Sequence, residues 1–227
     1  GRGVLIGDDQ GRLTRMIGIN FDITEMKLSE ERTAGLLAEL NHRVKNSLAV
    51  LDAIANRTML DAPTPAAFFE AFSGRLGALA ASHALLAESG WQGVDVGRLV
   101  ESQTAPYAGS DKGRIRCSGP LVQLGSDLSL ALAFVLHELA TNAAKHGALS
   151  VPTGRLDVTW ERIGANGDEA LHLIWVERDG PPVVLPTRQG YGSRLISQSL
   201  SYAFKGEVTQ SYAPEGLTTK IKVRLAP

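Results

Sequence analysis

A single cysteine, Cys117, stands in 227 residues, which excludes an intrachain disulfide and a cysteine metal centre and suits a reducing compartment. No long hydrophobic run is present either. The most apolar stretch, residues 128–136, is broken by Ser129 and falls far short of the roughly 20 residues that cross a bilayer, so no membrane contact is expected of this segment. A secretory leader is not visible, and a cytoplasmic location is the expectation. With a net charge of −1 the chain lacks the basic field that nucleic acid or an anionic membrane would require. Internal repeats and low-complexity segments are absent. What is present, 44% hydrophobic and 21% charged residues, is the composition of a folded protein long enough for two modest domains.

Leu37, Leu40, Val44, Leu51 and Ile54 recur at helical spacing and form an apolar seam, which leaves His42 on the opposite, solvent-facing side. Glu39 and Asn46 lie on the same face as His42 and make a polar stripe with it. The pattern predicts one helix from residue 23 or 25 to residue 60, halted by Asp61-Ala62-Pro63-Thr64-Pro65. A second helix carries Phe69, Phe72, Leu76, Leu79, His83 and Leu86 along one side and is expected to fold back antiparallel, with His83 as a packing residue. Upstream, residues 3–6 and 15–21 read as two short strands around a turn. A hairpin of that size is marginal in water and is expected to belong to a larger body upstream.

From Asp95 onward the pattern is mixed: helices over 96–105, 127–146 and 193–204, and strands over 114–117, 208–211 and 218–224. Further strands are signalled by alternation at Leu156, Val158 and Trp160 and at Leu171, Leu173 and Trp175. This order predicts an α+β fold, a sheet with helices on one face. On the long helix, Leu132, Val135, Leu136, Leu139 and Ala143 mark the buried side, while Glu138, Asn142 and Lys145 fall in a separate row. A carboxylate, an amide and an ammonium in one row suit a magnesium-bound triphosphate. Glu177 shares a strand face with Trp175 and is expected at the strand end beside that helix. A turn, Asp179-Gly180-Pro181-Pro182, follows. Gly190 and Gly192 then open a helix, where backbone amides can approach phosphate, although without the third glycine of a dinucleotide fingerprint.

Taken together, His-Arg-Val-Lys-Asn at 42–46, His-Glu-Leu-Ala-Thr-Asn-Ala-Ala-Lys-His-Gly-Ala-Leu at 137–149, Trp-Val-Glu at 175–177 and Gly-Tyr-Gly-Ser-Arg-Leu-Ile at 190–196 resemble the HWE family of bacterial sensor histidine kinases. Gly18-Ile19-Asn20-Phe21-Asp22-Ile23-Thr24 resembles the closing strand and exit of PAS sensory domains. The resemblance implies three parts: a PAS fragment at 1–24, a dimerisation and phosphoacceptor helical hairpin at 25–90, and a GHKL-type α/β sandwich that binds ATP at 91–227. It implies transfer of the γ-phosphoryl of magnesium ATP to His42 and then to an aspartate on a response-regulator receiver. By the same resemblance Asn142 holds metal and phosphates, and Glu138 is a candidate for contact with metal-bound water or for proton removal. Lys145 and His146 neighbour phosphate, adenine recognition falls to Glu177 or Asp179, and Gly180, Gly190 and Gly192 belong to the nucleotide loops. ATP and Mg2+ are the implied cofactors. An upstream sensor and a second copy of the chain are implied partners, with a monomer as the alternative assembly. The competing function is a catalytically silent, nucleotide-binding signalling scaffold.

Overall fold

The computed structural model describes residues 2–10, 13–109, 111–164, 169–183, 200 and 206–225, without the side chains at 39, 43, 46, 47, 57, 61 and 112. The elements in chain order are β1 (Arg2–Gly7), β2 (Leu13–Ile19), α1 (Thr24–Asp61), α2 (Pro65–Glu88), β3 (Val94–Asp95), α3 (Val96–Thr104), β4 (Ile115–Ser118), β5 (Gln123–Leu124), α4 (Ser126–Lys145), β6 (Arg155–Ile163), β7 (Ala170–Arg178), β8 (Glu207–Ala213) and β9 (Gly216–Arg224). Contacts gather into two units, Gly1–Ala53 and Ile54–Pro227, each described by itself. The division falls within α1, inside the expected hairpin of residues 25–90.

In the first unit β1 and β2 pair antiparallel, with Arg2 opposite Ile19. Val4, Leu5, Ile6, Leu13, Met16, Ile17 and Ile19 are all exposed, because two strands have no second layer to bury them. The Asp22 carboxylate accepts a hydrogen bond from Thr24 N at 2.9 Å, capping the start of α1. Leu37, Leu40 and Val44, the first three positions of the expected seam, are exposed, as are Leu36 and Leu48.

The second unit begins with the last turns of α1, where Ile54 and Thr58 are buried. Thr64 caps α2 by accepting from Ala67 N at 3.2 Å, and Pro65 takes the first helical position, where its missing N–H is harmless. The buried stripe of α2 is Arg75, Ala78, Leu79, Ser82 and Leu86, and the helix packs on α4. Phe69 and Leu76 of the expected stripe are exposed instead. Alanine, glycine and serine on both flanks of the helix make either phase plausible from sequence, and contact with α4 selects the one that carries Arg75.

A five-stranded sheet runs in the order β4-β6-β7-β9-β8, with β4 parallel to β6 and the remaining neighbours antiparallel. Its inner face, Leu156, Val158, Leu171, Leu173, Trp175, Ile221 and Val223, meets Leu132, Leu136 and Leu139 of α4 in one fully buried cluster. Each such side chain stabilises the fold by about 1.5–3 kcal/mol. The architecture is therefore α+β, as the residue pattern predicts. Beside the main sheet, β3 and β5 form a two-stranded ladder. There Asp95 accepts from Gly97 N (2.9 Å) and Arg98 N (3.3 Å) with one oxygen and from Val122 N (3.1 Å) with the other. Cys117 is half-buried on β4 opposite Val158, and burial pushes its thiol pKa up. The expected helix at 193–204 lies outside the described residues except for Leu200, which is fully buried. Among the described residues no helix is long and apolar enough to cross a membrane.

Candidate active site

The last turns of α4 present the predicted row. Glu138 is buried, Asn142 is half-buried, and Lys145 and His146 are exposed at the helix end. The helix closes with His146 N (2.8 Å) and Gly147 N (3.0 Å) donating to the Asn142 carbonyl, which turns the chain toward the end of β7. The Asn142 side-chain amide has no hydrogen-bond partner among the described residues. Among the described residues no buried side-chain nitrogen or oxygen is left unsatisfied.

Glu177 reaches across from β7 and ties that corner together. One oxygen accepts from Ala148 N at 2.9 Å and the other from Trp175 Nε1 at 3.1 Å. Only 4% of the residue is exposed, and burial raises its carboxyl pKa, with the two hydrogen bonds opposing the rise. Gly147 lies directly against this carboxylate, so any Cβ there would overlap the oxygen and stand 2.9 Å from the Ala143 Cα. Gly180 is equally confined, since a Cβ would sit 2.7 Å from the Ala148 Cα. Between them Asp179 adopts a left-handed backbone, φ 56°, with its side chain exposed. Aspartate is among the few non-glycine residues that tolerate this conformation.

The structure thus brings Asn142, Lys145, His146, Glu177, Asp179 and Gly180 to one corner, where the C-terminal end of α4 meets the end of β7. Gly190 and Gly192 lie outside the described residues. His42 is an exposed residue of α1 in the first unit; the side chains of its stripe partners Glu39 and Asn46 also fall outside the description.

Two ion pairs in the second unit were not legible as such. Glu138 is held by Arg75 of α2 through a two-point bond, Nε to Oε1 at 2.7 Å and Nη2 to Oε2 at 3.1 Å. Lys145 pairs with Glu70 of α2 at 2.7 Å, an exposed contact whose hydrogen bond lowers the Glu70 pKa. A hydrogen-bonded chain runs alongside, Tyr107 Oη to Thr141 Oγ1 at 3.0 Å and Thr141 to His137 Nε2 at 3.5 Å. Burial lowers the His137 pKa. The available signal was Arg75 itself: an arginine three residues before Ala78 on an apolar stripe demands a buried acid.

These residues fit a magnesium nucleotide. An amide, a cation and an imidazole end one helix, and Gly147 and Gly180, which have no room for a side chain, let that helix end pack closely against the turn after β7.

The family model of HWE histidine kinases matches residues 39–121. A blue-light-activated histidine kinase of Brucella anthropi is 37% identical over 217 residues, covering 96% of this chain and 44% of that protein. A protein of the same description from Brucella ovis is 34% identical over 212 residues, covering 93% of this chain and 43% of that protein. The chain therefore spans less than half the length of these relatives. Among solved structures, the histidine kinase domain of the Erythrobacter litoralis EL346 blue-light activated histidine kinase superposes with a TM-score of 0.59 over 86% of this chain and 94% of that one. At 22% identity this is a likeness of fold.

Proposed function

The chain belongs to the HWE histidine kinase family, and on that premise we propose that it is the phosphoacceptor and catalytic part of a sensor kinase in two-component signalling. The observation that carries the reading is the placement of half-buried Asn142 at the end of α4, where its backbone carbonyl accepts from Gly147 N beside the corner built by Gly147, Glu177 and Gly180. ATP is the phosphoryl donor. A His42 ring nitrogen attacks the γ-phosphorus, a nitrogen–phosphorus bond forms, the bond to the ADP oxygen breaks, and the ring proton leaves to solvent or a base. The phosphoryl group then passes to a carboxylate of a response-regulator receiver, regenerating the imidazole. Such chemistry asks chiefly for positioning and charge neutralisation.

Asn142 holds the phosphates and would hold Mg2+, with Lys145 and His146 beside them. The ion would supply neutralisation of phosphate charge. Exposed Asp179 takes the adenine edge, and Gly180, Gly190 and Gly192 let backbone approach the nucleotide. Glu177, with both oxygens engaged, acts behind them by fixing the turn. Glu138 holds its place one helical turn before Asn142. The exposed Leu36, Leu37, Leu40, Val44 and Leu48 of α1 suit a second copy of the chain, and the β1–β2 hairpin suits the end of a sensory domain.

Incubation with γ-labelled ATP tests the reading. Acid-labile label is expected on the wild-type chain and on no His42→Ala chain, and Asn142→Ala is expected to lose magnesium-dependent ATP binding while keeping its fold. Label persisting in His42→Ala, or unchanged affinity in Asn142→Ala, overturns it.

A further inference from the structure

Three helices meet at one buried guanidinium. Arg75, 9% exposed, gives two nitrogens to Glu138 on α4 and its third, Nη1, to Thr58 Oγ1 on α1 at 2.8 Å. Thr58 is 1% exposed, and its hydroxyl donates in turn to the Ile54 carbonyl at 2.6 Å. Each of the three guanidinium nitrogens therefore has a partner on α1 or α4. A buried ion pair of this kind gives little net stability over an apolar replacement, yet it fixes register, because its planar geometry admits few arrangements.

The two ends of the tie are significant. Glu138 precedes Asn142 by one turn of α4, so the tie sets how α4 stands against the hairpin helices. Thr58 lies on α1, the helix that also carries His42. We propose that Arg75 is a positioning residue for phosphoryl transfer: through Thr58 and Glu138 it locks the register between the phosphoacceptor helix and the nucleotide-binding helix. The inference rests on the histidine kinase reading given above. A register lock acts on the transfer step and leaves nucleotide binding alone, whereas a simple stability role would weaken both or neither.

Thr58→Val deletes the hydroxyl at nearly constant volume, Thr58→Ser restores it, and Arg75→Lys keeps the charge but not the fork. For each chain, thermal melting verifies folding, a fluorescent ATP analogue gives affinity, and single-turnover labelling at saturating ATP gives the transfer rate. Thr58→Val and Arg75→Lys are expected to bind the analogue within about twofold of wild type and to transfer about tenfold more slowly, an ordinary size for coupling between sites. Thr58→Ser is expected near wild type. Wild-type transfer rates in a folded Thr58→Val chain overturn the proposal, as does an equal loss of affinity and rate. Should Thr58→Val not fold, Arg75→Lys decides by the same two numbers. Failure of the wild-type chain to label at all is instead failure of the kinase reading, and the proposal falls with it.

Discussion

Replacing Glu177 separates two accounts of what its carboxylate does. In Glu177→Ala the Ala148 N–H and the Trp175 indole N–H both lose their acceptor inside the protein. Each orphaned donor costs about 1–3 kcal/mol, and relief of a desolvated carboxylate offsets part of that, leaving an expected loss of about 2–4 kcal/mol. For a domain of this size the melting temperature falls by roughly 5–15 °C. Glu177→Gln behaves differently. Burial raises the folded-state pKa of Glu177, so the fold disfavours the ion relative to the neutral acid. Glutamine resembles that neutral acid in shape and keeps one carbonyl acceptor while its NH2 meets the second donor, so its expected loss at neutral pH is about 1–2 kcal/mol, smaller than that of alanine. The sign of the pH dependence follows from proton binding. Between the ordinary carboxylate pKa and the raised folded value, the folded state holds the extra proton. Wild-type stability is therefore fully present below that window and declines as pH rises through it, while the glutamine chain lacks this component. Urea unfolding followed by tryptophan fluorescence across that window measures all three chains. Equal destabilisation by alanine and glutamine, with no difference in pH slope, would refute the reasoning and make the charge itself essential to the clamp.

Gly147→Ala is expected to lose about 1–3 kcal/mol and to weaken ATP binding, since its methyl group displaces the Glu177 carboxylate; melting and nucleotide titration check both. His83 stands edge-on to Trp91 at 5.5 Å and its pKa is lowered by burial, so His83→Leu should keep fold and nucleotide binding. The wild-type chain should also lose more stability than this variant as pH falls through the ordinary histidine pKa toward the lowered folded value, which urea titration would show. Light scattering over a dilution series should give twice 24.2 kDa at the higher concentrations if the exposed leucines of α1 seat a second copy, and 24.2 kDa throughout would remove that assembly.

Periodicity was a good guide wherever one face of an element meets a deep core. Leu132, Val135, Leu136, Leu139 and Ala143 on α4 and the alternation along β6 and β7 are buried as their spacing requires. It was a poor guide for α2, where small residues flank both candidate stripes and the docking partner decides the phase. The two-residue strands β3 and β5 are too short to carry a period at all; Asp95 holds them through bonds to Gly97, Arg98 and Val122, the last of them far along the chain. At the site, spacing set Glu138, Asn142 and Lys145 in one row, and Arg75 on an apolar stripe called for a buried acid, but which acid meets it, and the pairing of Lys145 with Glu70, depends on how α2 docks on α4. Trp175 and Glu177 were legible as neighbours on one strand face. That the first would donate to the second needs the burial of both.

Cys117 offers a clock for a motion the other side chains cannot report. It is the chain's one thiol, half-covered on β4 where α3 packs, with burial holding the thiolate form scarce. A soluble thiol reagent therefore reacts slowly while α3 stays seated and faster each time it lifts. Because no second sulfhydryl contributes, the modification rate reads the opening of that edge alone, and its change on adding nucleotide would show whether filling the far corner of the sheet stiffens this one.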